Sequence, residues 1–111
     1  MDILEQTHGA VRVLKPKGPL VAADADQLKR TASEAARTNL GRIVLDTSAV
    51  PFLDSRALEV LRELSDELSD SGLTLKLCGT NDTVREVLDL TELSSLFEHY
   101  EEVNAAVRSF L

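Results

Sequence analysis

Arg42-Ile43-Val44-Leu45-Asp46-Thr47-Ser48-Ala49-Val50-Pro51-Phe52-Leu53-Asp54-Ser55-Arg56-Ala57-Leu58 runs from an apolar strand, through a loop, into the start of a helix. Its first four residues make a short, mainly apolar segment with β-branched Ile43 and Val44, bounded by Gly41 and Asp46, as expected of a strand buried on both faces in mid-sheet. Pro51 disfavours helix at Val50, so Asp46 to Leu53 reads as a loop, and Asp54-Ser55 stands where a helix cap belongs. Leu58, Leu61, Leu64 and Leu68 then share one helical face, with Glu59, Arg62, Glu63, Asp66, Glu67 and Asp70 around the rest, and Gly72 closes the helix.

The same alternation extends in both directions. Upstream, Asp2 to Thr7 and Ala10 to Lys15 flank His8-Gly9 and read as a hairpin of half-buried strands, with Val11 and Val13 set against Arg12 and Leu14. Pro16, Gly18 and Pro19 are expected to stop the sheet. From Asp24 the spacing of Leu28, Ala32, Ala35 and Ala36 is helical, with Asp24 and Gln27 placed as an approximate capping box. Downstream, Leu73, Leu75 and Leu77 alternate with Thr74, Lys76 and Cys78 as a fourth strand. A third helix opens at Asn81 or Thr83 and carries Val84, Val87 and Leu88. Leu96 to Tyr100 reads as a short edge strand, and Val103, Ala106, Val107 and Phe110 give a closing helix. The order ββαβαβαβα predicts an α/β fold over residues 1–111: one domain with a mixed central sheet, mainly parallel after the opening hairpin, and four helices. Functional groups in such sheets gather outside the carboxyl ends of the strands, which points to the loop from Asp46 to Ser55.

Composition narrows the function. The 111 residues are 43% hydrophobic, enough for a core that hides about two-thirds of the unfolded surface. With 19 acidic against 12 basic residues, the net charge of -7 repels nucleic acid and anionic membranes. No apolar run resembles a signal peptide or reaches the roughly 18 residues of a spanning helix, and a lone Cys78 cannot form an internal disulfide; the expectation is a cytoplasmic protein without membrane insertion. There is no Walker loop, no GxGxxG and no zinc spacing, and neither His8 nor His99 has a metal-ligand or triad neighbour. No catalytic residue, metal or cofactor is expected.

The run from Ile43 to Leu58 resembles the signature of STAS domains, the family of bacterial anti-sigma factor antagonists. The Gly18-Pro19-Leu20 turn, the Leu77-Cys78-Gly79 strand end and the Val84-Arg85-Glu86-Val87-Leu88 helix also resemble family features, so the resemblance spans nearly the whole chain. It implies a non-catalytic protein-binding module that captures an anti-sigma factor of the ATP-binding serine kinase type. Asp46, Thr47, Ser48, Phe52, Asp54, Ser55, Arg56 and Ala57 would form the docking region. In phosphoregulated members the signature reads Asp-Ser-Ser-Gly or Asp-Ser-Thr-Gly, with phosphate on the second hydroxyl residue. The corresponding residues here are Asp54-Ser55-Arg56-Ala57, so the acceptor position holds Arg56, which cannot take a phosphoryl ester. Ser55, one residue earlier, is the candidate phosphorylation site.

The residues by themselves also carry plainer readings. Asp54 and Ser55 suit a helix cap, Arg56 could pair with Glu59 or Glu63 at helical spacing or with an acidic group on a partner, and Asp46, Thr47 and Ser48 are turn formers. Two other functions fit the chain: an accessory STAS subunit of an ABC lipid transporter or stressosome-like complex, and a small-molecule or nucleotide-binding domain. The expected state is a monomer, or a weak homodimer along the opening hairpin.

Overall fold

The computed structural model describes residues 1–111. Five strands, β1 (Asp2–His8), β2 (Val11–Lys17), β3 (Ile43–Asp46), β4 (Leu75–Cys78) and β5 (Phe97–Tyr100), form one sheet in the order β1-β2-β3-β4-β5. Only the β1–β2 pair is antiparallel; β2 to β5 run parallel. The crossovers are α1 (Ala23–Thr38), α2 (Ser55–Ser69) and α3 (Asp82–Leu90), and α4 (Val103–Arg108) follows β5. A single 3₁₀ turn, Ser94–Leu96, leads into β5.

The period of two along each strand divides the core between the sheet's two faces. Leu14, Ile43, Leu45, Leu75, Leu77 and Phe97 lie under α1, α2 and α3, and hold most of the buried apolar surface. Val11, Val13, Val44 and Cys78 lie on the other face, against Ala106 of α4. This explains why β3 and β4 are buried along their whole length although only one of them reads as continuously apolar. In β4 the residue opposite α4 is Lys76, 8% exposed. Its ammonium donates to Glu98 at 3.1 Å and to the Ser109 hydroxyl at 2.7 Å, and sits 4.2 Å from the centre of the Phe110 ring. A buried lysine needs partners of this kind.

Two expectations are corrected. Pro16 does not stop the sheet; it lies within β2, opposite Ile3. The ladder from β2 to β3 has already ended at Leu14, so the missing amide of Pro16 leaves no bond to β3 unmade. Asp24 and Gln27 do not form a capping box, because α1 begins at Ala23 and places Asp24 inside its first turn. Both side chains accept instead from the Met1 ammonium, at 3.4 and 3.1 Å, and tie the chain's start to α1.

Candidate docking site

The loop between β3 and α2 is built on buried polar groups. Asp46, the last residue of β3, accepts the Ser48 amide on Oδ1 at 3.0 Å, which turns the chain as it leaves the sheet. Thr47 is 3% exposed; its amide and hydroxyl both donate to the Cys78 carbonyl, at 2.9 and 3.1 Å, and the hydroxyl shares a 2.8 Å hydrogen bond with Thr80. The loop is thereby fastened to the end of β4. Gly79 allows the approach, since a Cβ there would stand 2.8 Å from Cβ of Ser48, and its φ of +66° suits glycine. Val50 is buried, and its carbonyl accepts from Asn81 Nδ2 at 3.0 Å. Asn81 Oδ1 accepts the Val84 amide at 2.8 Å, so one side chain caps α3 and holds the loop.

The second half of the loop lies beside the segment that enters α1. Gly18 N–H donates to Ala49 O, Leu20 N–H to Phe52 O and Asp54 N–H to Leu20 O, over 3.0 to 3.1 Å, and Leu20 and Leu53 form an isolated parallel bridge. Asp54 is the N-cap of α2. One carboxylate oxygen accepts the Ala57 amide at 3.0 Å, the other the Ala22 amide at 2.9 Å, so a single side chain ties together the starts of α1 and α2. These N–H donors, that of Ala57 foremost, lower the Asp54 pKa below the ordinary carboxylate range.

Arg56 turns back onto the protein. Its Nε and Nη2 donate to Asp26 Oδ1 at 2.9 and 2.6 Å, and Nη1 donates to Glu59 and Glu63 at 3.0 and 3.2 Å. These partners, Asp26 first, raise the guanidinium pKa above its ordinary value. Glu63 also accepts from Lys29, and that hydrogen bond, followed by the one from Arg56, lowers its pKa. Pairing with Glu59 and Glu63 follows the helical spacing. Asp26, on the neighbouring helix and thirty residues away, could not be read from that spacing.

The eight predicted residues fall into three groups. Ser48, Phe52 and Ser55 are exposed, with Phe52 half open to solvent. Asp54 and Arg56 are half-buried, with their charged groups already engaged. Asp46, Thr47 and Ala57 are buried and form the frame beneath. The sequence reading missed Asn81 as a loop anchor, Thr80 and Ala22. Asn81 did carry a signal, as one of two candidate helix openers, but its reach back to Val50 did not. No group of three His, Cys, Asp or Glu side chains is placed to hold a metal ion. Cys78 is buried, and burial, reinforced by the Asp46 charge, pushes its thiol pKa up to about 12. His99 Nε2 lies 2.7 Å from the Ser94 carbonyl, beside the edge of Phe97. No helix is long and apolar enough to cross a membrane.

The family model of the STAS domain matches residues 3–106. This chain is a STAS domain. It is similar to the anti-sigma F factor antagonist of Paenibacillus polymyxa, with 27% identity over 95% of this chain and 92% of that protein. Among solved structures it is similar to TM1081 of Thermotoga maritima, with 25% identity, a TM-score of 0.86, and coverage of 96% of this chain and 92% of that one. It also has the fold of SpoIIAA, an anti-sigma factor antagonist solved in its unphosphorylated form, with 14% identity, a TM-score of 0.75, and coverage of 98% and 96%. In this STAS domain the frame beneath the loop is complete, and the two ends of the signature have separate tasks. Asp46 and Thr47 fix where the loop leaves the sheet, while Asp54 and Arg56 fix where α2 begins.

Proposed function

We propose that this STAS domain is an anti-sigma factor antagonist that acts by docking, without catalysis, on an anti-sigma factor of the ATP-binding serine kinase type. The observation that carries this reading is the end-to-end similarity to the Paenibacillus polymyxa anti-sigma F factor antagonist. The loop geometry supports it. Phe52, Ser48 and Ser55 stand exposed on a frame whose polar groups are satisfied internally, so the surface is pre-organised and little ordering entropy would be lost on binding. An exposed aromatic on a rigid loop is a suitable interface anchor. Asp46, Thr47 and Ala57 would serve by holding that surface in place.

Regulation in this reading differs from a switch at the second hydroxyl position of the signature, which Arg56 occupies here. Arg56 has no hydroxyl, and its cation is consumed by Asp26, Glu59 and Glu63, so it holds α2 against α1 and leaves the partner to its neighbours. Ser55, the exposed first residue of α2, is the candidate acceptor. A phosphate there would add about -1.5 to -2 charge in the middle of the docking surface and release the partner.

Affinity capture from the source organism, comparing wild-type and Ser55→Glu baits and identifying the bound proteins by mass spectrometry, tests the proposal. Recovery of an anti-sigma factor kinase by wild type, and its loss with Ser55→Glu, is expected. Recovery of transporter subunits, or of no partner, would replace the reading.

A further inference from the structure

β1 is one edge of the sheet and is bonded only to β2. The alternation of the ladder decides which of its backbone groups are free. Arg12 N–H donates to Arg42 O, so Arg12 and Leu14 turn their backbone groups toward β3, and Val11, Val13, Lys15 and Lys17 turn theirs toward β1. The residues opposite those four, His8, Gln6, Leu4 and Asp2, complete the hairpin bonds. Ile3, Glu5 and Thr7 therefore point their N–H and C=O groups away from the protein.

Sheet edges are ordinarily blunted by proline, lysine, a bulge or short length, because free edge groups invite another strand. β1 has none of these protections: its seven residues pair with β2 without interruption and include neither proline nor lysine. The other edge, β5, has four residues. The side chain of Leu4 adds an exposed apolar group to the β1 edge.

The strand is complementary to itself when run antiparallel about Glu5. Ile3 then meets Thr7, and Glu5 meets Glu5, with their free groups face to face; Asp2 meets His8 and Leu4 meets Gln6 at the closer, non-hydrogen-bonded positions. Two-fold symmetry makes each of these unlike pairs twice. Of the registers that align the free groups, this one alone pairs all seven residues. Neither Asp2 nor His8 enters an ion pair within the chain. The one like-charged contact is offset, because each Glu5 carboxylate accepts from Arg12 of its own chain at 3.1 Å.

We propose that β1 pairs antiparallel with β1 of a second copy of this chain, on a two-fold axis at Glu5, joining the two five-stranded sheets into one. The axis is perpendicular to the sheet, so the two β3–α2 loops open on opposite edges and both stay free. Two strands of this length cover less than the interface of a permanent dimer, and the association is therefore reversible. The pairing stands whether or not the chain binds an anti-sigma factor.

Sedimentation equilibrium of the full chain, from about 10 μM to 1 mM, tests it. Wild type should pass from monomer to dimer over that range. Thr7→Pro removes an outward N–H and no hairpin bond, so it should keep the fold and weaken the dimer at least about fivefold. His8→Lys should tighten the dimer and His8→Glu weaken it, each about threefold or more, through the charge of Asp2 on the second copy. Circular dichroism and Tm check each fold, and should Thr7→Pro not fold, the His8 variants decide. A wild-type monomer throughout, a smaller effect in folded Thr7→Pro, or His8 variants that do not move the dissociation constant in opposite directions would overturn the pairing.

Discussion

Asn81 is the joint between the β3–α2 loop and α3, and its two roles can be separated by substitution. Asn81→Ala removes both the N-cap acceptor for Val84 and the donor to the Val50 carbonyl. Loss of an N-cap costs about 1 kcal/mol. A half-buried carbonyl left without its donor costs about 1–2 kcal/mol more. The total is about 2–3 kcal/mol, and unfolding entropy for a chain of this length converts each kcal/mol to roughly 4 °C, so Tm should fall by about 8–12 °C. Asn81→Asp keeps the cap acceptor and loses only the donor, and should show about half of that decrease. Urea unfolding followed by circular dichroism, with an unchanged m-value, gives the free energies. Amide exchange then separates the roles: protection at Thr47 to Leu53 should fall in both variants, and protection in the first turn of α3 only in Asn81→Ala. If Asn81→Asp unfolds as wild type does and leaves loop exchange unaltered, Asn81 does not hold the loop and the account of the frame is wrong.

Three further outcomes follow from the same structure. Ala22→Gly should leave stability unchanged or raise it by up to about 1 kcal/mol, because relief of positive-φ strain competes with the chain entropy of glycine; a clear fall in Tm would show that Ala22 is not strained. Lys76→Ala should cost about 2–3 kcal/mol through lost packing against Phe110 and lost bonds to Glu98 and Ser109, while Lys76→Met should stay within about 1 kcal/mol of wild type because an apolar stem can replace a buried ion pair; denaturant melts of the pair decide the point. The pH dependence has two limbs. Asp54 and Glu98 have lowered pKa values, set first by the Ala57 amide and by the Tyr100 hydroxyl, so the stability they add is present above the unfolded carboxylate range and disappears as pH falls through their folded values. The Cys78 thiol is raised from about 9 to about 12, so its contribution is present below pH 9 and is lost between 9 and 12 as the unfolded thiol ionises first. Cys78→Ala should therefore flatten the alkaline limb alone, and an unaltered limb would contradict the assignment.

The fold was legible where one local rule decided each element. Ile43-Val44-Leu45 fixed the central strand, Leu28, Ala32 and Ala35 fixed a helical face, and Gly72, with φ +74°, ended α2 as its position suggested. What escaped depended on contacts between distant residues. The alternation of Leu75, Lys76 and Leu77 suggests one solvated face, but α4 covers it, and nothing in β4 records that a six-residue helix returns to the sheet. Pro16 reads as a breaker until the lateral extent of the β3 ladder is known. The loop itself could be read as a site, but the direction of its side chains could not. Asp46 and Thr47 resemble Ser48 as turn formers, yet both are buried: Thr47 finds partners at the end of β4, and the Asp46 carboxylate accepts the Ser48 amide. Asp54 was legible as a cap; its second acceptor role, toward Ala22, depends on α1 starting beside α2. The bond from Arg56 to Asp26 depends on that same adjacency.

The central claim is that the Phe52 loop is a docking surface for an anti-sigma factor, and calorimetric titration of the purified factor into wild type and Phe52→Ala tests it most directly. Phe52 is exposed and contributes little to the fold, so its truncation should leave Tm nearly unaltered while weakening binding by about 30-fold or more, as loss of an interface anchor does. Saturable binding by wild type with that loss in Phe52→Ala is the predicted result; no binding by wild type, or equal binding by both proteins, would contradict it.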